Sequence, residues 1–386
     1  MYVLHRETGQ PLFPIEERPV PASDIPGEQA WPTQPFPSKP KPYSRQFMTT
    51  DDLSDFSRAS HDSLIGLFKS LRYEGLFTPP SIKGTLNLPG TIGGGEWGGA
   101  AYDVATGILY VRANEAPEID LLQKIDPSTK SVNISVHDDG KKIYAIYCAS
   151  CHKADRTGSE PLYPSLVDLK KRMSESQVLN KIRSGSGKMP SFMSAIDGHE
   201  KGIIDFLFNK TDWQLLRKEA NLSEIKNNRA SNVAVKKEKG QADTATTYLN
   251  VTAYGDLKDP EGHPFIKPPW GTLNAINLNT GEYEWTIPAG NSSKNQKKGA
   301  PVTGSAGLSG PIVTAGGLVF LGSSDDHKFQ AFDKSIGKLL WEITLPGVAS
   351  STPCTYEGNG KQHVAVSVSG NKESPAGLIM AFSLPD

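Results

Sequence analysis

Ala331-Phe332-Asp333-Lys334-Ser335-Ile336-Gly337-Lys338-Leu339-Leu340-Trp341 is the stretch whose reading decides the fold. It reads as strand, tight turn, strand. The Asp333 side chain can cap the turn, Gly337 can take a left-handed conformation there, and Trp341 can pack between neighbouring sheets. The same grammar returns in Ala275-Ile276-Asn277-Leu278-Asn279-Thr280-Gly281-Glu282-Tyr283-Glu284-Trp285. Looser copies are Ala101 to Val111, around Ala105-Thr106-Gly107, and Tyr2 to Leu12, around Glu7-Thr8-Gly9. Such repeats are the signature of propeller blades, each a small sheet stacked on the next around an axis. A β-sandwich with similar hairpins is the alternative. Glycine (37) and proline (29) are spread along both arms of the chain, as turn-rich β architecture requires.

The pattern stops at about Glu118 and resumes at Tyr248. Between them, charged helical sequence runs to about Thr211 and carries Cys148-Ala149-Ser150-Cys151-His152. This spacing attaches a c-type haem: Cys148 and Cys151 close thioether bonds to the vinyl groups, and His152 becomes an axial iron ligand. Met189, in Gly187-Lys188-Met189-Pro190, is the expected second ligand, because a thioether favours ferrous iron. Met193 and Met173 are its rivals. A zinc half-site would want a second Cys/His pair, and the only other cysteine, Cys354, lies far off without one. A redox dithiol would sit beside a βαβ pattern, which is absent. Ile143 and Tyr147 share a face of the helix that delivers Cys148. Ser174-Glu175-Ser176-Gln177 is a capping box opening the next helix, and Ile203, Phe206 and Leu207 mark an amphipathic last one. That layout describes one haem c in a compact, all-α, class I cytochrome c domain.

The division expected is therefore propeller blades over 1–117, the cytochrome domain over 118–211, a polar linker over 212–247 and further blades over 248–386. The cytochrome is expected as an insertion between blades. Within 1–117, prolines from Pro19 to Pro40 predict an extended surface loop. A helix is predicted over Asp51 to Leu71, capped by Thr50 or Asp51, with Leu64, Leu67, Phe68 and Leu71 on its apolar face. The run Gly93-Gly94-Gly95-Glu96-Trp97-Gly98-Gly99 implies backbone in close approach, to a flat cofactor or at a crowded propeller axis. Cys354 is expected to be buried as a small apolar group.

The chain has 386 residues, a net charge of −1 and a sequence pI of about 6.7, so no global field recruits nucleic acid or an anionic membrane. No apolar run reaches the length of a transmembrane helix. Met1-Tyr2-Val3-Leu4 leads straight into charged residues without the pattern of a signal peptide. Covalent haem attachment takes place outside the bacterial cytoplasm, so a periplasmic location, with the signal in sequence upstream of Met1, is expected.

Several stretches resemble PQQ-dependent (pyrroloquinoline quinone) dehydrogenases of the membrane glucose dehydrogenase branch, in their C-terminal part. They are Tyr2 to Gly9, Pro32-Thr33-Gln34-Pro35-Phe36, Arg72-Tyr73-Glu74-Gly75, Phe77 to Ser81, Glu96-Trp97-Gly98-Gly99, Gly310-Pro311 and Ala331 to Trp341, followed by Thr352-Pro353 and Gly360-Lys361-Gln362. The inserted haem domain is similar to the quinohaemoprotein variants. The resemblance implies an eight-bladed propeller with PQQ and Ca2+ or Mg2+ on its axis, of which this chain holds a part. It implies a catalytic aspartate that takes the substrate hydroxyl proton while hydride passes to the quinone. That aspartate and the metal ligands fall upstream of Met1, so no acid of this chain is assigned either role. Asn114 matches an asparagine that hydrogen-bonds the quinone, with a turn residue as the plain alternative. Trp97 either flanks the cofactor or packs a blade. The activity implied is oxidation of a sugar or polyol, with electrons passing to the haem and on to a downstream cytochrome or oxidase. The rival reading is a non-catalytic propeller scaffold that carries a cytochrome as an electron wire.

Overall fold

The computed structural model describes residues 1–91, 93–125, 140, 143–148, 152, 156–158, 163–186, 189, 191–193, 196, 199–208, 247–250, 257–259, 263–292, 301–323, 326–370 and 377–384. The repeat turn forms four times with one geometry. Gly9, Gly107, Gly281 and Gly337 have φ of 70, 73, 73 and 69°. Each donates its N–H to the carbonyl four residues back, at 2.8 or 2.9 Å. Asp333, Asn277 and Asp103 accept from the backbone two residues on, at 2.8, 3.0 and 3.1 Å. A Cβ is strained in this conformation, which is why the repeat keeps glycine there.

Strands β1 (Ala100–Asp103), β2 (Ile108–Asn114), β3 (Gly271–Asn277) and β4 (Glu282–Pro288) form one antiparallel sheet in the order β4-β3-β2-β1. A second sheet holds β5 (Ile312–Val313), β6 (Leu318–Gly322), β7 (Lys328–Asp333) and β8 (Leu339–Thr344) in sequence order. A third holds β9 (Cys354–Gly358), β10 (Lys361–Val368) and β11 (Leu378–Ser383). The sheets stack as blades. Tyr110, Leu273, Val319, Leu321 and Phe332 fill the space between the first and second; Phe329, Leu345, Val364, Val366 and Val368 fill that between the second and third. Trp285 donates to Lys334 O at 3.1 Å and lies against Gly337, where a Cβ would stand 2.8 Å from the indole. The chain is mainly β, with propeller blades as the repeats foretold.

One expectation is corrected by the register. β2 pairs with β3 along its whole length, from Ile108↔Asn277 to Asn114↔Gly271. The Ala101 and Ala275 copies are therefore two hairpins of a single blade, and the segment that carries Cys148 to His152 is inserted within that blade, not between blades. Two hairpins closed by the same turn look like two blades in sequence.

Smaller corrections follow from local chemistry. Tyr2 to Leu12 makes the turn but only an isolated bridge, Leu4↔Pro11, flanked by bonds from His5 N to Gln10 O at 2.8 Å and from Leu12 N to Val3 O at 2.9 Å. The proline-rich arm is not wholly loop: Ile15–Pro19 pairs with Thr33–Pro37 in a two-stranded ribbon, whose outer edges tolerate proline. The helix α1 spans Arg58–Ser70 and is capped by Ser57, later than expected. Thr49 caps a separate short turn, Thr50–Asp52, and extended Leu53 then bridges Ile266. Leu64 and Leu67 are buried beside Met48, Leu53, Phe265 and Trp270. Cys354 is exposed, not buried, on the edge strand of the third sheet.

In the insert, Glu118–Asp120 pairs with Thr85–Asn87 and Leu122–Ile125 with Thr247–Asn250, so its first residues are strands. A wide helical turn, Tyr144–Cys148, precedes α2 (Glu175–Ser184) and α3 (Glu200–Leu207). The Ser174/Gln177 capping box forms as expected. Ile143, Tyr144, Val178, Ile182, Ile196, Ile203 and Leu207 make a core of their own. The expected linker lies, apart from Thr247, outside the described residues.

Candidate functional site

The insert presents the residues expected to bind haem on this helical core. Cys148 ends the turn Tyr144–Cys148 and packs against the core with Tyr147; Cys151 lies outside the described residues. His152 is buried, and its Nδ1 stands 2.8 Å from Pro164 O. A carbonyl only accepts, so the proton is on Nδ1 and the lone pair on Nε2, the form that binds a metal. Tyr144 Oη donates to His152 O at 3.3 Å, tying the histidine to the core. Met189 sits in a tight turn closed by Ser186 N to Met189 O at 2.9 Å and Met189 N to Ser186 O at 3.0 Å. It is half-buried against the same core as Cys148, as is Met173. Met193 is 63% exposed. The donor set, an imidazole held by its second nitrogen plus a core-packed thioether, fits a c-type haem.

The second region is the mouth of the first two blades. Asn114 ends β2 fully buried. Its Oδ1 accepts from Gly307 N at 2.9 Å, and its Nδ2 donates to Gly307 O and Glu96 Oε1, both at 3.2 Å. Two residues earlier on the same strand face, Arg112 is also buried. It donates to Gly322 O at 2.9 Å and Ser305 O at 2.8 Å. Burial lowers its guanidinium to about 10, with Asp326 and Glu96 pulling the other way. Arg112 and Asn114 together grip the segment Ser305–Gly310 that enters β5. Gly98 and Gly310 meet backbone to backbone, and a Cβ on either would collide with the other. Thr352 Oγ1 donates to Gly98 O at 2.9 Å, bringing in the third sheet. The glycine run thus serves a crowded inner wall. Trp97, beside Gly98, is 70% exposed and packs no blade. It offers a flat face, whereas the Asn114 amide is engaged by protein.

Sequence reasoning passed over Arg112 and the Arg45–Glu115 pair. A signal for both was present: charged residues at the end of the apolar run Ile108-Leu109-Tyr110-Val111. Glu115 is buried and accepts from Arg45 N at 2.9 Å and Arg45 Nε at 3.0 Å. Burial dominates and raises its carboxyl above the ordinary carboxylate range, with the bonds and charge of Arg45 opposing.

Comparison with known proteins bears on both regions. The family model described as "PQQ: Glucose/ethanol/alcohol dehydrogenase, beta-propeller domain" matches residues 1–156 and 194–364. The chain belongs to this family. A second model, "Cytochrome C oxidase, cbb3-type, subunit III", matches residues 135–207. The chain is 26% identical to the glycerol dehydrogenase large subunit of Gluconobacter thailandicus, covering 100% of this chain and 41% of that protein. It is 27% identical to the quinoprotein glucose dehydrogenase of Escherichia coli K12, covering 100% and 38%. Over 75 residues it is 43% identical to the lupanine 17-hydroxylase [cytochrome c] of a Pseudomonas species, covering 19% and 10%. The chain thus spans about two-fifths of the length of its long relatives. No helix among the described residues is long and apolar enough to cross a membrane.

Proposed function

We propose that this chain supplies propeller blades and the haem relay of a periplasmic quinoprotein dehydrogenase that oxidises the CH–OH group of a sugar or polyol. The observation that carries this is the point of insertion. Residues 115–270 leave and re-enter between adjacent strands of one blade of a PQQ-family propeller, so the haem module is rooted on the quinone-binding wheel. When bound, PQQ with Ca2+ or Mg2+ would supply two-electron oxidation of the substrate, and haem c one-electron transfer to a downstream cytochrome or oxidase. Cys148 and Cys151 would hold the haem covalently, and His152 and Met189 would ligate its iron. His152 is oriented by Pro164, and the core around Met189 excludes water from the thioether side. Trp97, whose ring is exposed, is the group proposed to stack on the quinone. Asn114 is the second candidate for the quinone, whose approach would require one of the two Nδ2 bonds, to Gly307 O and Glu96 Oε1 at 3.2 Å, to give way. The base and metal ligands are assigned to no residue of this chain.

Expression in a host competent for cytochrome c maturation tests the haem assignment. The wild type should show a haem mass adduct and a reduced α-band. His152→Ala should lose the low-spin spectrum, and Met189→Leu should lose the methionine–iron charge-transfer band while keeping the haem. Retention of that band in Met189→Leu and its loss in Met193→Leu would transfer the role. In the complete gene product loaded with PQQ and Ca2+, glucose or glycerol should reduce the haem. No reduction with any aldose or polyol would favour the scaffold reading.

A further inference from the structure

We propose that Arg45 is a positioning residue for electron transfer, locking together the two stems through which the haem insert joins its blade. The proposal rests on the function proposed above. The outgoing stem begins at Glu115, directly after β2, and the returning stem ends at Trp270, directly before β3. Glu115 N donates to Trp270 O at 3.1 Å, which carries the ladder one residue past the blade. Arg45 closes the lock from outside. Its backbone N and its Nε donate to the Glu115 carboxylate at 2.9 and 3.0 Å. The far end of the same guanidinium donates to Lys267 O at 3.0 Å and Pro269 O at 2.8 Å, on the returning stem. One side chain thus holds both stems, and the arm that carries it runs on along the returning one. Ser54 N donates to Phe265 O at 3.0 Å, Lys267 N to Asp52 O at 2.8 Å, and Lys267 Nζ meets Asp55 at 3.0 Å.

A planar guanidinium that bonds the carboxylate through Nε and two carbonyls through its far nitrogen fixes direction as well as distance, which a single-point cation cannot do. Glu115 is nearly fully buried, so its charge is tolerable only with Arg45 in place. Nothing in ordinary blade closure calls for this arrangement: among the described residues, the continuous second blade closes by hairpins alone. What the lock adds is a fixed root for the module that carries the haem. Electron transfer rates fall steeply with distance, so a loosened root slows haem reduction without touching substrate chemistry. Each CH–OH oxidised to a carbonyl yields two electrons and two protons. Two single-electron passages to ferric haem are therefore needed, each followed by reoxidation by the downstream carrier, with the protons released to solvent.

The test compares Arg45→Gln, Arg45→Lys and Glu115→Gln in the complete, haem- and PQQ-loaded gene product. Substrate-driven haem reduction is followed by stopped flow at the α-band. Quinone turnover is followed in parallel with a dye that bypasses the haem. Arg45→Gln should slow haem reduction tenfold or more while dye-linked kcat and KM stay within twofold. Arg45→Lys should recover only part of the rate. Glu115→Gln, whose amide oxygen still accepts from Arg45, should keep most of it. Hydrogen exchange supplies a readout independent of activity: peptides covering 112–116 and 264–271 should lose protection in Arg45→Gln, and those covering 318–344 should not. A parallel fall of both rates, or unchanged haem reduction, would overturn the positioning role; unchanged exchange at the stems would overturn the lock. Absence of substrate-dependent dye reduction in the wild type would instead count against the proposed function, and the exchange arm would still decide the lock.

Discussion

The first and second blades have the same four-stranded plan but reach it differently. The second is laid down in one run, Ile312–Thr344, and its Lys328–Glu342 ion pair lies within a single hairpin. The first is assembled from two hairpins with residues 115–270 between them. Closing such a loop costs on the order of 3 kcal/mol more than closing a tight turn, a cost that a compact insert lowers by bringing its own ends together. The split blade carries buried polar fasteners at its seam: Arg112, Asn114 and the Arg45–Glu115 pair. Insertion into a blade is therefore permitted by strand adjacency and secured by buried polar groups that reach neighbouring segments.

If stacking between blades holds the split blade in place, its tryptophan should matter most. Trp285 lies between the first and second sheets, against Tyr110 and the Gly337 turn. Trp285→Ala should cost about 3–5 kcal/mol, read as a lowered urea midpoint. Trp341, 39% exposed beside Phe382, should cost about half as much. Equal costs would break the comparison. The shared turn gives the next test. Gly337→Ala combines a left-handed φ of 69° with a Cβ that meets the Trp285 ring, and should cost about 2–3 kcal/mol. Gly9→Ala meets nothing within 4 Å and should cost only the backbone strain, about 1 kcal/mol. Similar values at both sites would show that strain, not blade contact, sets the requirement for glycine.

Much of this was legible in the sequence because it depends on local chemistry. The Asp/Asn cap, the left-handed glycine and the following tryptophan are specified within eleven residues, as in Ala331 to Trp341. The haem motif is likewise five contiguous residues, and the Ser174 capping box four. What was misread depends on pairing at a distance. Nothing in Ile108 to Asn114 says that its ladder partner is Gly271 to Asn277, so the two hairpins of one blade read as two blades. The sequence offers Thr50 or Asp51 as the cap of α1, but the polar residues there start a separate short turn capped by Thr49, and Ser57 caps the helix. Cys354 reads as a small buried apolar group, but it opens an edge strand that is exposed along most of its length. Arg112 and Glu115 show their role only when the carbonyls and the arginine that meet them, from distant segments, are in view.

The smallest effect expected concerns the rim tie between the two blades. Lys334, in the turn of the second, bonds Asp103, in the turn of the first, at 2.9 Å, and Tyr110 Oη donates to Lys334 O at 3.0 Å. The hydrogen bond from Lys334 holds the Asp103 carboxyl below the usual carboxylate range, helped by Thr106. A depressed folded pKa means that the ionised form favours the folded state. The contribution is therefore present above the unfolded value of about 4 and is lost as pH falls through the folded one. Lys334→Met should lower stability by at most about 1 kcal/mol near neutrality. The gap from wild type should stay level down to about pH 5, close in more acid solution, and narrow in high salt. Lys328→Met, which breaks a pair inside one hairpin, should give a similar or smaller loss but leave unfolding of the two blades concerted. A gap for Lys334→Met that widened in acid would mean that Asp103 is not the partner through which the blades are tied.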